Sequence, residues 1–232
     1  MVSCAAATVF GDFSDVAARD FDRTLEVSFL GAVNVTRAVL PELERHDGAI
    51  VTVGSILSRT SIPTFSSYCA AKHAPRAFYE ALSVELRARG SKITVATVHP
   101  GTINTPLWQH TSTGTTHRMP RSLPWAYSPE AVAEALLAVT GTSREVTLGT
   151  EAKIEQLILS YGGPIARLAR RGVHAFYSSS PHHSQAPGSL WNAVGKGISR
   201  GNSALSTRPS ITAPLRGLRP PPHRSPPRTN AP

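Results

Sequence analysis

Tyr68 and Lys72 stand four residues apart in a stretch of helical periodicity, so their side chains leave one face of a helix a single turn apart. A phenol beside an ammonium is a proton-transfer pair. Free tyrosine, with a pKa near ~10, is a poor base at neutral pH. An adjacent cation favours the phenolate and predicts a value drawn down toward the working range. Ser55 lies thirteen residues earlier, just past a short apolar run. From there it can donate a hydrogen bond to an oxygen on which charge builds during carbonyl reduction. The three together can move a proton to or from an alcohol oxygen. None of them can carry a hydride, so the chemistry requires a cofactor.

Several elements must position these side chains. Ala49–Val53 follows the turn signal Asp47-Gly48 and is almost wholly apolar, the pattern of a strand buried on both faces of a parallel sheet. Residues 92–98 repeat that pattern and lead into His99-Pro100-Gly101, a turn at the same sheet edge. The spacing predicts a helix over about 14–45, with Pro41 at or near its last turn, and a second from about Ser67 to Arg89 with Gly90 closing it. Residues 100–127 lose periodicity. Ser128-Pro129-Glu130 then reads as an N-cap with proline at the first helical position, followed by a helix through Ala138, a strand over 144–148 and a last helix over about 152–170. Strand–helix alternation of this kind predicts an α/β fold with a parallel sheet, and ligands of open α/β sheets bind beyond the carboxyl ends of the strands.

Val53-Gly54-Ser55, Tyr68-Cys69-Ala70-Ala71-Lys72 and Pro100-Gly101-Thr102-Ile103-Asn104-Thr105, in this order and spacing, resemble the short-chain dehydrogenase/reductase family. The resemblance runs from residue 2 to about 175, with a fainter echo at Pro187–Trp191. It implies a Rossmann-like, doubly wound parallel sheet with helices on both faces. It implies that Ser55 orients the substrate oxygen, that Tyr68 is the acid/base, and that Lys72 lowers the Tyr68 pKa and holds the nicotinamide ribose. Ile103, through its backbone, and Thr105 are implied to hold the carboxamide. The reaction expected is interconversion of an alcohol and a ketone or aldehyde with NAD or NADP. The substrate is expected to be of moderate size, under a lid formed by 106–127 with Leu107, Trp108, Met119, Leu123 and Trp125. Homo-oligomerisation through the helices at 14–45 and 67–89 is implied as well.

Three departures qualify the resemblance. Family members open with a strand and a Gly-rich turn that receives the cofactor pyrophosphate at a helix N-terminus. Here the only early glycine is Gly11, so the reading is of an N-terminally truncated member that lacks the first strands and the pyrophosphate site. Ser3-Cys4-Ala5-Ala6 stands where the family has Asn-Asn-Ala-Gly. Ser28 stands where the family places an Asn that helps hold a relay water. The alternative reading is therefore an inactive fragment that acts at most as an interaction module, and a third places function in the C-terminal tail.

Charge separates that tail from the rest. All 15 acidic residues fall within residues 1–155 and nearly balance the basic residues there, so the net charge of +9 resides beyond them. Residues 177–232 hold 10 of the 19 prolines, seven basic residues and no acid, a composition that predicts disorder. The expected organisation is a partial catalytic domain over 1–176 and a basic tail over 177–232. Without stacking aromatics among its arginines, the tail predicts no specific nucleic-acid binding. Arg170-Arg171 and His182-His183 read as solvated surface and not as a metal site. Cys4 and Cys69 lack the spacing of a disulfide framework or zinc module. No apolar run approaches the roughly 20 residues that span a bilayer, and no signal peptide is visible, so a cytoplasmic location is expected.

Overall fold

The computed structural model describes residues 1–108, 110–120, 126–160, 163–184, 188–192 and 207–208. Its centre is a four-stranded parallel sheet of β1 (Val2–Ser3), β3 (Ala49–Val53), β4 (Thr94–Pro100) and β7 (Glu145–Leu148), in that spatial order. The register pairs Val2 with Val51, Val51 with Ala96 and Val98 with Val146. β1 is a two-residue edge strand. Outside the sheet, β2 (Val9–Phe10) pairs with β5 (Ser112–Thr113), which ties the loop after β4 to the segment after β1, and β6 (Ala126–Tyr127) pairs with β8 (Thr207–Arg208).

Alternate residues of the central strands face opposite cores, which is why both strands read as continuous apolar runs. Ile50 and Val95 pack with Ala32, Tyr79, Leu82 and Leu86. These come from α2 (Gly31–Arg45) and α3 (Ser66–Ala88) on one face. Val51, Ala96 and Val98 pack with Ala131, Val132, Ala135 and Val139 of α4 (Pro129–Val139) on the other. Helices thus cover both faces of a parallel sheet, as the sequence pattern predicts.

The long N-terminal helix is two helices joined without a break. α1 (Ala18–Leu25) passes through a π-helical turn, Glu26–Leu30, into α2. Ser28 lies in that turn, buried, where its hydroxyl accepts from the Ala7 N–H at 2.9 Å and donates to the Ala7 carbonyl at 3.3 Å. The helix continues through Pro41 to Arg45. α3 ends as predicted, with Gly90 at φ +74°, its N–H on the Arg87 carbonyl and the Ser91 N–H on the Leu86 carbonyl. This left-handed closure is one that glycine adopts without steric cost. Ser128 caps α4 by accepting from the Ala131 N–H at 3.2 Å.

The C-terminal region departs from expectation in two ways. The single helix predicted over 152–170 is two, α5 (Thr150–Ser160) and α6 (Pro164–Ser178), because Gly163 takes φ +99° and Pro164 starts a new helix. α6 also carries past residue 176, the boundary that composition suggests. Ala166, Ala169, Val173, Phe176 and Tyr177 keep a helical apolar face, and all but Ala166 join the core around Phe10 and Phe65. Beyond it, the Met119 N–H bonds the His182 carbonyl and the Trp191 indole N–H bonds Asp20 at 2.8 Å, and Leu190 is buried. The echo segment at 188–191 thus packs on the body. The disorder expected over 177–232 is thus not found at 177–184 and 188–192, and for 185–187, 193–206 and 209–232 that expectation lies outside the described residues.

Candidate active site

β3 ends at Val53, and the chain turns outward through Gly54 to Ser55, which caps a short 3-10 turn, Ile56–Ser58. The Ser55 N–H donates to Ser58 Oγ at 3.0 Å, and Ser55 Oγ accepts from the Leu57 N–H at 3.1 Å. The hydroxyl proton of Ser55 is left for the Tyr68 phenol, and this side-chain hydrogen bond acts to lower the Tyr68 pKa. Tyr68 and Lys72 occupy the first two turns of α3, and the Lys72 Nζ lies 5.8 Å from the Tyr68 ring centre. Lys72 is only 7% exposed and donates to the Val53 carbonyl at 3.1 Å. The helix, strand end and turn predicted to converge do so.

Electrostatics depart from the simple expectation. Burial outweighs every stabilising contact and pushes Tyr68 up to about 12, against the opposing Ser55 hydrogen bond. The same burial pulls Lys72 down to about 8, opposed by the charge of Cys4. The predicted lowering of the tyrosine by Lys72 is therefore not what this arrangement delivers: the desolvated phenol holds its proton more tightly than a free one. Behind Ser55, the fully buried His99 is lowered to about 4, first by burial and then by the Arg59 charge, against the bond to the Ser55 carbonyl.

Ser55, Tyr68, Lys72, Ile103 and Thr105 all line one cavity of about 500 Å³ at the carboxyl edge of the sheet. Ile103 is held by a bridge to Tyr127, with the Asn104 N–H on the Tyr127 carbonyl at 2.9 Å. Most other walls are apolar: Ile56, Leu57, Ile62 and Phe65 beside Ser55, then Val132 and Leu136 of α4, and Tyr177 of α6. Cys4, Ala6 and Thr8 form the wall nearest β1. Of the predicted lid residues, Leu107 lines the cavity and Met119 does not. The Trp108 side chain, Leu123 and Trp125 lie outside the described residues. Sequence reasoning gave Val132, Leu136 and Tyr177 no site role. For α4 the signal was its start directly after the irregular segment; for Tyr177 it was the unbroken apolar face of α6.

Ser28 is not available as a simple substitute for the family Asn. Its hydrogen points at the Ala7 carbonyl and one lone pair takes the Ala7 N–H, so it ties the wall segment to the π turn.

A profile of the family described as short chain dehydrogenase matches residues 1–116. The chain belongs to the short-chain dehydrogenase/reductase family. It is 30% identical over 200 residues to the uncharacterized oxidoreductase YxnA of Bacillus subtilis, covering 83% of this chain and 55% of that one. It is 38% identical over 109 residues to dehydrogenase/reductase SDR family member 7B of Mus musculus, covering 46% of this chain and 33% of that one. The chain thus spans about half the length, or less, of these curated relatives. Among solved structures, a short-chain dehydrogenase of Burkholderia cenocepacia in complex with NADP superposes with a TM-score of 0.57 at 24% identity, over 75% of this chain and 67% of that one. That likeness supports the Rossmann-like fold. In this family member, no described helix is long and apolar enough to cross a membrane.

Proposed function

We propose that the site reduces a carbonyl compound to an alcohol, and catalyses the reverse, with Tyr68 as the acid/base, Ser55 as the oxygen-orienting donor and Lys72 as the cation beside them. The observation that carries this is the convergence of these three on one cavity with a protonated phenol at its wall. NAD or NADP, when bound, supplies or accepts the hydride. The residues present fit the nicotinamide end of such a cofactor. Lys72 is a buried ammonium that spends one donor on the Val53 carbonyl and keeps two for ribose hydroxyls, and Tyr68 stands one turn away on the same face. Ile103 and Thr105 border the same cavity, where they would hold the carboxamide. For the pyrophosphate, no glycine-rich turn opens a helix beside β1 among the described residues.

At neutral pH a phenol with a pKa of about 12 is protonated, so Tyr68 stands ready as the acid. As negative charge builds on the carbonyl oxygen, Ser55 Oγ–H donates to it and Tyr68 Oη–H gives up its proton. The Lys72 ammonium then stabilises the phenolate left behind. An alkoxide is a stronger base than this phenolate, so the transfer runs downhill in the reducing direction. Apolar walls exclude water and suit a substrate with a hydrophobic body of moderate size.

The test is turnover of a panel of ketones and aldehydes by the purified chain with NADH or NADPH, followed by cofactor absorbance. Tyr68→Phe is expected to lower the rate at least about 10²-fold, the usual range for losing a positioned acid. A parallel measurement of nicotinamide mononucleotide binding by ligand-observed NMR reads the cavity without turnover. Binding that survives Lys72→Met unchanged, or turnover that survives Tyr68→Phe, refutes the assignment.

A further inference from the structure

The ring of His99 sits immediately behind the strand end that carries Ser55. It is fully buried, and its Nδ1 lies 3.0 Å from the Ser55 carbonyl oxygen. A carbonyl can only accept, so Nδ1 carries the proton. The ring is pressed so closely on Gly54 that a Cβ there would lie 2.4 Å from Nδ1 and 2.8 Å from Cε1. On its far side, Nε2 lies 3.5 Å from Glu145 Oε1 and forms no hydrogen bond. Glu145 is itself held by Arg59 and by Arg76, the latter at 3.2 Å. Each arginine comes from a different element, the turn after Ser58 and α3, and their positive charge faces the ring together with that of Lys72. A protonated imidazole would add a cation to this group, so the cluster favours the neutral ring with its single hydrogen on Nδ1.

We propose that His99 is a positioning residue of the active site: its neutral imidazole, donating from Nδ1 to the Ser55 carbonyl and wedged against Gly54, fixes the rotation of the Ser55 backbone and so aims the Ser55 hydroxyl at Tyr68. This deepens the functional reading above and rests on it for its catalytic meaning, though the geometry exists without turnover. The Ser55 backbone is pinned from both ends, its N–H on Ser58 Oγ and its carbonyl shared by the Ser58 N–H at 2.9 Å and His99. Without His99, one of these restraints disappears at the residue whose hydroxyl must meet the phenol.

The experiment labels tyrosine with 13C at Cζ in the full chain at neutral pH and assigns the Tyr68 signal by its loss in Tyr68→Phe. Ser55→Ala gives the shift of a phenol without its serine partner. His99→Leu is expected to move the Tyr68 signal toward that position. His99→Asn, whose amide nitrogen falls where Nδ1 lies, is expected to leave it near wild type. His99→Gln, whose amide reaches the Nε2 position instead, is expected to behave like His99→Leu and serves if the leucine variant does not fold. A Tyr68 signal that stays in place in both His99→Leu and His99→Gln, or one that His99→Asn fails to restore, overturns the proposal. In turnover, His99→Leu should lower kcat about tenfold at unchanged KM for the nicotinamide cofactor, with His99→Asn within about threefold of wild type. If the wild-type chain shows no turnover, the functional reading falls while the NMR comparison still decides the role of His99.

Discussion

Burying Lys72 should cost the protein stability at neutral pH, and the cost should fade as pH rises. Its folded pKa is about 8 against an ordinary 10.5. Below the folded value the lysine is charged in both states, and the folded state carries the full desolvation penalty. Between the two values the unfolded chain stays charged while the folded protein sheds the proton, so the penalty shrinks and stability rises. Linkage gives a penalty of about 3 kcal/mol at about pH 7 that shrinks to about 1 kcal/mol at about pH 10, a difference of roughly 2 kcal/mol. Lys72→Met removes the titration while keeping the aliphatic stem. Urea unfolding of both proteins across that range should show Lys72→Met gaining on wild type at neutral pH and losing that advantage in alkali. Both should carry Cys4→Ser, because the Cys4 thiol, pushed up by burial, also responds to the Lys72 charge. Parallel stability curves for the two proteins would refute the claim that burial dominates at Lys72. Turnover reads the same titration: kcat should fall above about pH 8 as the ammonium beside Tyr68 loses its charge.

Ser28→Ala leaves the buried N–H of Ala7 without its partner, for an expected loss of about 1–3 kcal/mol in urea or thermal unfolding. A loss below a few tenths would show that Ser28 does not bind this segment. Gly54→Ala drives a methyl into the His99 ring and should cost about 1–3 kcal/mol by overpacking. Its Tyr68 13C signal should move in the direction seen for His99→Leu, and an unmoved signal would mean that the ring yields without turning Ser55. Tyr177→Ala opens the aromatic cluster, where Tyr177 meets Phe65 at 5.3 Å and Phe10 at 5.9 Å between ring centres. The expected loss is about 3–5 kcal/mol, read as a lowered urea midpoint at unchanged slope.

Residues 49–53 and 92–98 read as buried parallel strands because both faces of each are largely apolar, with β4 set two residues later at Thr94–Pro100, and α3 was legible because Tyr68 and Lys72 share a face of a periodic stretch that ends at a glycine stop. The site trio was legible for the same reason: its members hang on regular elements whose periods fix direction. The electrostatic balance was not. Whether Lys72 lowers Tyr68 or burial raises it depends on how much water the cavity walls exclude, and those walls come from residues as distant as Leu136 and Tyr177. The split between α5 and α6 was written in Gly163-Pro164 but masked by helix-forming residues on both sides. His99 gave no local signal. It reads as the start of the turn His99-Pro100-Gly101, whereas β4 runs on through Pro100 and buries the ring among Gly54, Arg59, Arg76 and Glu145.

The end of β3 explains why so short a segment can carry the chemistry. Val53, Gly54 and Ser55 are each held by one long-range backbone bond from a different direction. Lys72 Nζ donates to the Val53 carbonyl, the Gly54 N–H donates to the Val98 carbonyl at 2.8 Å, and His99 donates to the Ser55 carbonyl. Two of these donors are ionisable side chains that burial drives toward neutrality, so the strand end is fixed by groups whose protonation the cavity itself controls. Glycine at 54 is what lets the His99 ring approach closely enough to complete the set. Loosening any one bond lets Ser55 rotate while the sheet stays intact, so variants at His99 or Gly54 should separate catalytic geometry from folding more cleanly than variants at Ser55, Tyr68 or Lys72.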